Sequence, residues 1–79
     1  MIKVLFFGPI ATLTGCRELE IAHTVGLRLQ DLLAQTTERY PVILERISFI
    51  AVNETHAHDK SMPLSDGDVV ALLAKFSGG

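Results

Sequence analysis

The residues with the clearest chemical potential are Gly78 and Gly79, the last two of the 79-residue sequence. Gly79 bears a terminal carboxylate, and glycine leaves that carboxyl group unshielded on both faces. Gly78 has no Cβ, so its backbone can pass through a narrow channel and adopt any φ. A free carboxylate is a poor electrophile, because its charge is delocalised and its leaving group is oxide. Two alternatives follow: these residues are a frayed tail, or the terminal carboxylate is itself the working group and needs activation before it can react.

Other polar residues carry weaker indications of chemistry. His56 and His58 stand two apart, a spacing seen at some metal sites, but no third ligand is evident, so we expect a solvated turn and no metal. Cys16 has no His or Lys neighbour in sequence, and we interpret it as incidental. Asp66 and Asp68 flank a glycine and are expected to form a turn. Because the sequence has no Gly-rich phosphate loop, we expect no bound ATP and no other bound cofactor.

Composition restricts the class of protein. Hydrophobic residues make up 48% of the sequence and charged residues 20%, which is typical of one globular domain, expected over residues 1–79. The net charge of −2 gives no basic field for nucleic acid or an anionic membrane. The single cysteine excludes an internal disulfide, and no apolar run approaches the roughly 20 residues that span a bilayer. We expect a cytoplasmic protein.

Hydrophobic periodicity predicts one helix among several strands. Residues 2–7 alternate with Ile2, Val4 and Phe6 inward, and a second strand is predicted over 17–22. Apolar residues at helical spacing indicate a helix within 27–41, whereas the segment between the first two strands, 8–15, is interpreted as a connection. Strands are also predicted at 47–53 and 69–74, with a short irregular strand between them. The predicted order is β-β-α-β-(short β)-β, an α+β fold with the main helix packed across one face of a mixed sheet.

The predicted sheet determines where the end of the chain leaves the domain. The first and last strands are expected to lie side by side at the centre, as parallel neighbours. Residues 75–79 then leave the middle of the sheet as a flexible tail that reaches on the order of 17 Å. Leu5, Phe7 and Leu73 are predicted to face outward together, and exposed apolar patches often mark interfaces.

Six stretches of this sequence resemble a known family. They are "MIKVLFFG", "LTG", "LQDLLAQTTERYP", "AVNET", "PLSDGDVVAL" and "SGG", and in this order they span nearly the whole chain. The sequence is similar to the small, sulfur-carrying subunits of molybdopterin synthase, which are ubiquitin-like β-grasp proteins. The resemblance implies that Gly79 is adenylated with ATP by an activating enzyme, converted to a thiocarboxylate, and used to give sulfur to cyclic pyranopterin monophosphate. It implies no catalysis by this chain alone.

The resemblance also implies partners and contact residues. The partners are the large subunit of molybdopterin synthase, in a heterotetramer, and a ubiquitin-activating-like adenylyltransferase. Lys75, Phe76 and Ser77 are expected to contact the partner as the tail inserts, together with the patch of Leu5, Phe7 and Leu73. Three alternatives stay open: a thiamine-type or other sulfur carrier, a ubiquitin-like modifier or interaction module, and a stand-alone enzyme. The last is disfavoured because no nucleophile–base constellation is evident.

Overall fold

The computed structural model describes residues 1–74, so the predicted tail of residues 75–79 lies outside the described part of the chain. Five strands, two α-helices and one 3₁₀ turn make up the fold. In chain order they are β1 (Ile2–Phe6), α1 (Pro9–Thr14), β2 (Glu18–Ile21), α2 (Leu29–Arg39), the 3₁₀ turn (Pro41–Ile43), β3 (Ile47–Val52), β4 (Thr55–His56) and β5 (Val69–Ala74).

The strands form one mixed sheet in the order β2-β1-β5-β3-β4. β1 pairs with β5 in parallel, with Val4 opposite Val70 and Phe6 opposite Leu72. The pairs β1–β2, β3–β4 and β3–β5 are antiparallel. The predicted α+β sheet with parallel first and last strands at its centre is confirmed, and β5 is thereby a central strand.

The hydrophobic core lies between the inner face of the sheet and α2. Alternate residues of β1 and β5 are fully buried, as the period of a strand requires. Leu29, Leu32 and Thr36 supply the buried stripe of α2, and the Thr36 hydroxyl donates to the Leu32 carbonyl over 2.8 Å, so no polar atom is left unpaired there. The buried apolar residues are Ile2, Val4, Phe6, Ile10, Ile21, Leu27, Leu29, Leu32, Ile43, Ile50, Val52, Leu64, Val70 and Leu72.

Helix α2 begins without a conventional capping side chain. Arg28 is the N-cap residue, and its backbone N–H donates to Oδ2 of Asp31 over 2.9 Å. Asp31 thus supplies half of a capping box and places a negative charge in the first turn, where the helix dipole favours it. The helix ends at Arg39, two residues before Pro41, which starts the 3₁₀ turn.

The connection predicted over residues 8–15 contains a short helix instead. α1 starts with Pro9, whose fixed φ suits the first helical position, and Gly15 closes it at φ 75°. Ile10 is the one residue of α1 that is fully buried. Six residues with a single buried anchor give no 3.6-residue pattern, which is why periodicity did not indicate this helix.

Candidate functional site

The predicted acyl-transfer end of the chain follows directly from the central strand β5. Ala74, the last described residue, lies opposite Ile47 at the start of β3. On the other side of β5, the Phe7 N–H donates to the Leu72 carbonyl over 3.2 Å. Gly78 and Gly79 fall among residues 75–79, outside the described residues, as do the predicted contact residues Lys75, Phe76 and Ser77.

The sheet surface away from α2, here called the outer face, has a continuous apolar strip across its central strands. Leu5 lies beside Ala71, and both are half-buried. Phe7 is 46% exposed. Together with Val69, these three residues line a shallow concavity of about 390 Å³. The structure therefore brings Leu5 and Phe7 together on one surface, as the alternation predicted.

Leu73 lies on the same outer face but outside that concavity. It is half-buried and sits opposite Phe49 of β3. Phe49 is 41% exposed, and the sequence analysis did not assign it to the patch. The sequence could have indicated this position, because Ile50 and Val52 were predicted to share one face of the strand. Strand alternation then places Phe49 on the opposite, outward face.

Two histidines extend the outer face toward the sheet edge. The His56 ring stacks on Phe49 with centroids 3.9 Å apart and planes 19° apart. The ring centroids of His58 and His56 lie 4.0 Å apart, with the ring planes tilted by 47°. His56 belongs to β4 and pairs with Ala51, so it is a strand residue rather than part of a loose turn. Within residues 1–74, no group of three or more His, Cys, Asp or Glu side chains is placed to hold a metal ion.

Cys16 is a half-buried neighbour of the core. Its Sγ lies 3.6 Å from the Tyr40 hydroxyl and 3.7 Å from Oγ1 of Thr14. The Tyr40 ring in turn meets Phe6 edge-to-face with centroids 5.9 Å apart. These contacts join the α1–β2 connection to the end of α2, and they give Cys16 a packing role.

Asp68, one of the two carboxylates of the predicted turn, connects two parts of the sheet by hydrogen bonds. Asp68 accepts from Asn53 Nδ2 over 3.0 Å and from the Ser65 N–H over 2.8 Å, while Asn53 Oδ1 accepts from the Val69 N–H over 2.9 Å. The "VN" and "DGD" stretches thus form one network that ties the β3–β4 turn to the start of β5. Their geometry indicates a structural role rather than acid–base chemistry.

Asp66, the other carboxylate of this turn, pairs with the amino group of Met1. The hydrogen bond from that ammonium group, reinforced by its charge, holds the pKa of Asp66 below its ordinary value. The Gly67 N–H also donates to the Met1 carbonyl over 3.0 Å. The first residue of the chain is therefore fastened to the loop that precedes β5.

Comparisons with known proteins fit this architecture. The family model described as "ThiS family" matches residues 4–79. The chain belongs to the ThiS family. A curated relative, the molybdopterin synthase sulfur carrier subunit of Escherichia coli strain K12, is 39% identical to this ThiS-family chain over 83 residues, and the match covers both proteins completely.

Solved structures support the ubiquitin-like β-grasp fold of this ThiS-family chain. A Pyrococcus furiosus protein assigned as subunit 1 of molybdopterin converting factor superposes with a TM-score of 0.83 at 29% identity, covering 92% of this chain and 94% of that one. A complex of subunits 1 and 2 of molybdopterin-converting factor from Helicobacter pylori matches with a TM-score of 0.71 at 32% identity, covering 99% and 97%. In the part of this chain that the structure describes, no helix has the length and apolarity to cross a bilayer.

Proposed function

We propose that this chain is a sulfur carrier that acts as the small subunit of a molybdopterin synthase. The observation that carries the proposal is the full-length match to a molybdopterin synthase sulfur carrier subunit at 39% identity. The family match extends through Gly78 and Gly79. The central position of β5 supports the same function, because the segment that follows it starts in the middle of the sheet.

The proposed chemistry takes place at the carboxylate of Gly79. An adenylyltransferase joins that carboxylate to the AMP part of ATP and releases pyrophosphate. A sulfur donor then displaces AMP and leaves a thiocarboxylate. That group is anionic at neutral pH with its charge largely on a polarizable sulfur, so it attacks an activated carbon of cyclic pyranopterin monophosphate and displaces an oxygen leaving group there. Water then cleaves the acyl–sulfur bond, which leaves the sulfur on the pterin and restores the Gly79 carboxylate. Two such deliveries supply the two sulfurs of the dithiolene.

The proposed docking surface for the large subunit is the outer face. Phe7 and Phe49 remain 46% and 41% exposed, and Leu5 and Leu73 are half-buried, so the strip still has apolar area to bury against a partner. Residues 75–79 extend at most about 17 Å when straight, which is long enough to enter a neighbouring active site. Lys75, Phe76 and Ser77 would then contact the walls of that entrance. The complex of subunits 1 and 2 from Helicobacter pylori supports a partner of this kind.

The experiment that tests the proposal is intact-mass measurement after incubation with ATP, an adenylyltransferase and a sulfur donor. We expect a mass gain equal to the replacement of one oxygen by one sulfur, located at Gly79 by fragmentation. A family carrier known to react serves as the positive control. An unchanged mass under conditions in which that control is converted would refute the proposal, and high-mass conjugates in its place would indicate a protein modifier.

A further inference from the structure

The proposed sulfur transfer does not use a second concavity, a groove at the edge of the sheet that His56 of the outer face also lines. It lies between α2 and β3 and has a volume of about 470 Å³. Its apolar walls include Leu33 of α2, Ile47 and Ile50 of β3, and Leu44, which is 64% exposed in spite of its size. A large aliphatic side chain in that position loses favourable burial unless another molecule covers it.

The sheet edge beside this groove is only partly paired. β4 pairs with Ala51 and Val52 of β3, and one further hydrogen bond joins the Ala57 N–H to the Ile50 carbonyl over 2.8 Å. Beyond that bond, no strand within residues 1–74 lies on this side of the first half of β3. A free edge of this kind accepts an extended peptide as an added strand.

The register of β3 against β5 shifts between Ile47 and Phe49, which limits how long such an added strand can be. The groove runs beside α2 from Gln30 to Thr37, a rise of about 10.5 Å. About three extended residues fill that length. The recognised segment must therefore be short and must gain most of its affinity from apolar side chains.

A cationic side chain lies at one end of the groove. Lys60 lines it beside Gln30, at the positive N-terminal end of α2, and the Gln30 N–H holds the Lys60 carbonyl at 2.8 Å. Lys60 forms no ion pair within the described residues. The neighbouring Asp59 carboxylate is engaged by the Ser61 hydroxyl and N–H at 2.6 Å and 2.9 Å, and Arg28 adds a second cation nearby. Among residues 1–74, no carboxylate side chain lines the groove.

We propose that this groove binds a short extended segment of a partner protein that has consecutive apolar residues preceded by an acidic residue. The apolar side chains lie among Leu33, Leu44 and Ile47, and the carboxylate meets Lys60. The bound segment pairs antiparallel to β3, which runs from Ile47 toward Ile50. The N-terminal end of the segment therefore lies at the Lys60 end of the groove. Leu5, Phe7 and Leu73 do not line the groove, although His56 of the outer face does, and the proposal does not depend on the sulfur-carrier function.

The probe is a fluorescein-labelled peptide, Glu-Asp-Val-Ile-Val-Ser, capped at both ends and measured by fluorescence anisotropy against the full chain. The control peptide has the same residues with the acidic and apolar ones interleaved. We expect saturable binding of the first peptide that weakens by about fivefold or more in Lys60→Glu, since an exposed ion pair is lost and a repulsion is added. Absence of saturation up to about 1 mM, or equal binding of the two peptides, would overturn the proposal.

A matched pair of helix variants tests the location. Ala34 is exposed and lines the groove, whereas its neighbour Gln35 is exposed and does not line it. Ala34→Arg should weaken peptide binding at least about tenfold by filling the groove, and Gln35→Arg should leave it unchanged. Equal effects of the two variants would overturn the assignment. Sedimentation at the assay concentration must show a monomer, and a dimer that Ala34→Arg dissociates would show that the occupant is a second copy instead.

Discussion

The two-residue turn between β3 and β4 makes a quantitative prediction about stability. Val52 pairs with Thr55, so Asn53 and Glu54 form the turn, with φ of 50° and 69°. Such tight hairpin turns need positive φ at both positions, and glycine is preferred at the second. Asn53 tolerates this region, but Glu54 has a Cβ that clashes there. Replacement of Glu54 by glycine should therefore relieve strain.

The magnitude follows from two opposing effects. A left-handed conformation costs an L-residue roughly 1–2 kcal/mol, whereas the extra freedom of glycine in the unfolded chain costs about 0.5–1 kcal/mol. The difference spans roughly 0–1.5 kcal/mol, so Glu54→Gly should raise the free energy of unfolding by about 0.75 kcal/mol, the middle of that range. For 79 residues, an unfolding entropy of about 2.1 cal/mol/K per residue converts this gain into a rise in Tm of about 4–5 °C.

Thermal unfolding followed by circular dichroism measures this change. Glu54→Ala is the matched control, because it removes the carboxylate but keeps the Cβ and hence the strain. The alanine variant should stay within about 0.5 kcal/mol of the parent, as an exposed substitution normally does. If Glu54→Gly melts at or below the temperature of Glu54→Ala, the turn does not hold strain at this residue and the reasoning is wrong.

Three further predictions concern the outer face, the first residue and the end of the chain. The double variant Phe7→Asp, Leu73→Asp should bind the large subunit at least about tenfold more weakly in titration calorimetry, because carboxylates replace apolar contact area. Circular dichroism should still show a folded chain. Unchanged affinity would show that the outer face is not part of the interface. The Met1 ammonium lowers the pKa of Asp66 in the folded chain below the ordinary value of 3.8. The ionised Asp66 carboxylate therefore stabilises the fold at pH values above 3.8. This stabilisation is lost as the pH falls through the folded-state pKa of Asp66. Asp66→Asn should therefore lower Tm at neutral pH and converge with the parent in strong acid; a constant difference at all pH values would contradict the ion pair. Gly79→Val should keep the parent Tm but yield no sulfur transfer, and a variant that transfers sulfur at the parental rate would disprove the need for an unhindered terminus.

Strand alternation was sufficient to predict most of the sheet. The faces of β1 and β5 followed from period-two patterns, because each strand has a fully apolar inner face. The parallel contact between them followed from the order of the elements. Hydrophobic periodicity did not predict α1, because a six-residue helix with Ile10 as its only buried residue shows no 3.6-residue repeat of apolar positions.

The candidate site was predictable only in part. The outward positions of Leu5, Phe7 and Leu73 came from the same alternation that buries Ile2 and Val4. The contacts of His56 with Phe49 and His58 depend on cross-strand register, which the sequence alone does not define. The role proposed for Gly79 came from family resemblance, because two glycines have no side chains whose chemistry could identify a reaction.

The hydrogen bonds between the Asn53 and Asp68 regions could likewise be identified only from the structure. Asn53 and Asp68 are 15 residues apart, and either one alone looks like an ordinary turn residue. Their hydrogen bond, with that from the Val69 N–H to Asn53 Oδ1, joins the "VN" and "DGD" stretches and connects the β3–β4 turn to the start of β5.

The most direct test of the central claim is a single-turnover reaction of the purified thiocarboxylated chain with the large subunit and cyclic pyranopterin monophosphate. Intact mass should return to that of the carboxylate as the dithiolene product appears, with about two carriers consumed for each product molecule. A thiocarboxylate that persists in the presence of a large subunit active with its own carrier would contradict the assignment of this chain to molybdopterin synthesis.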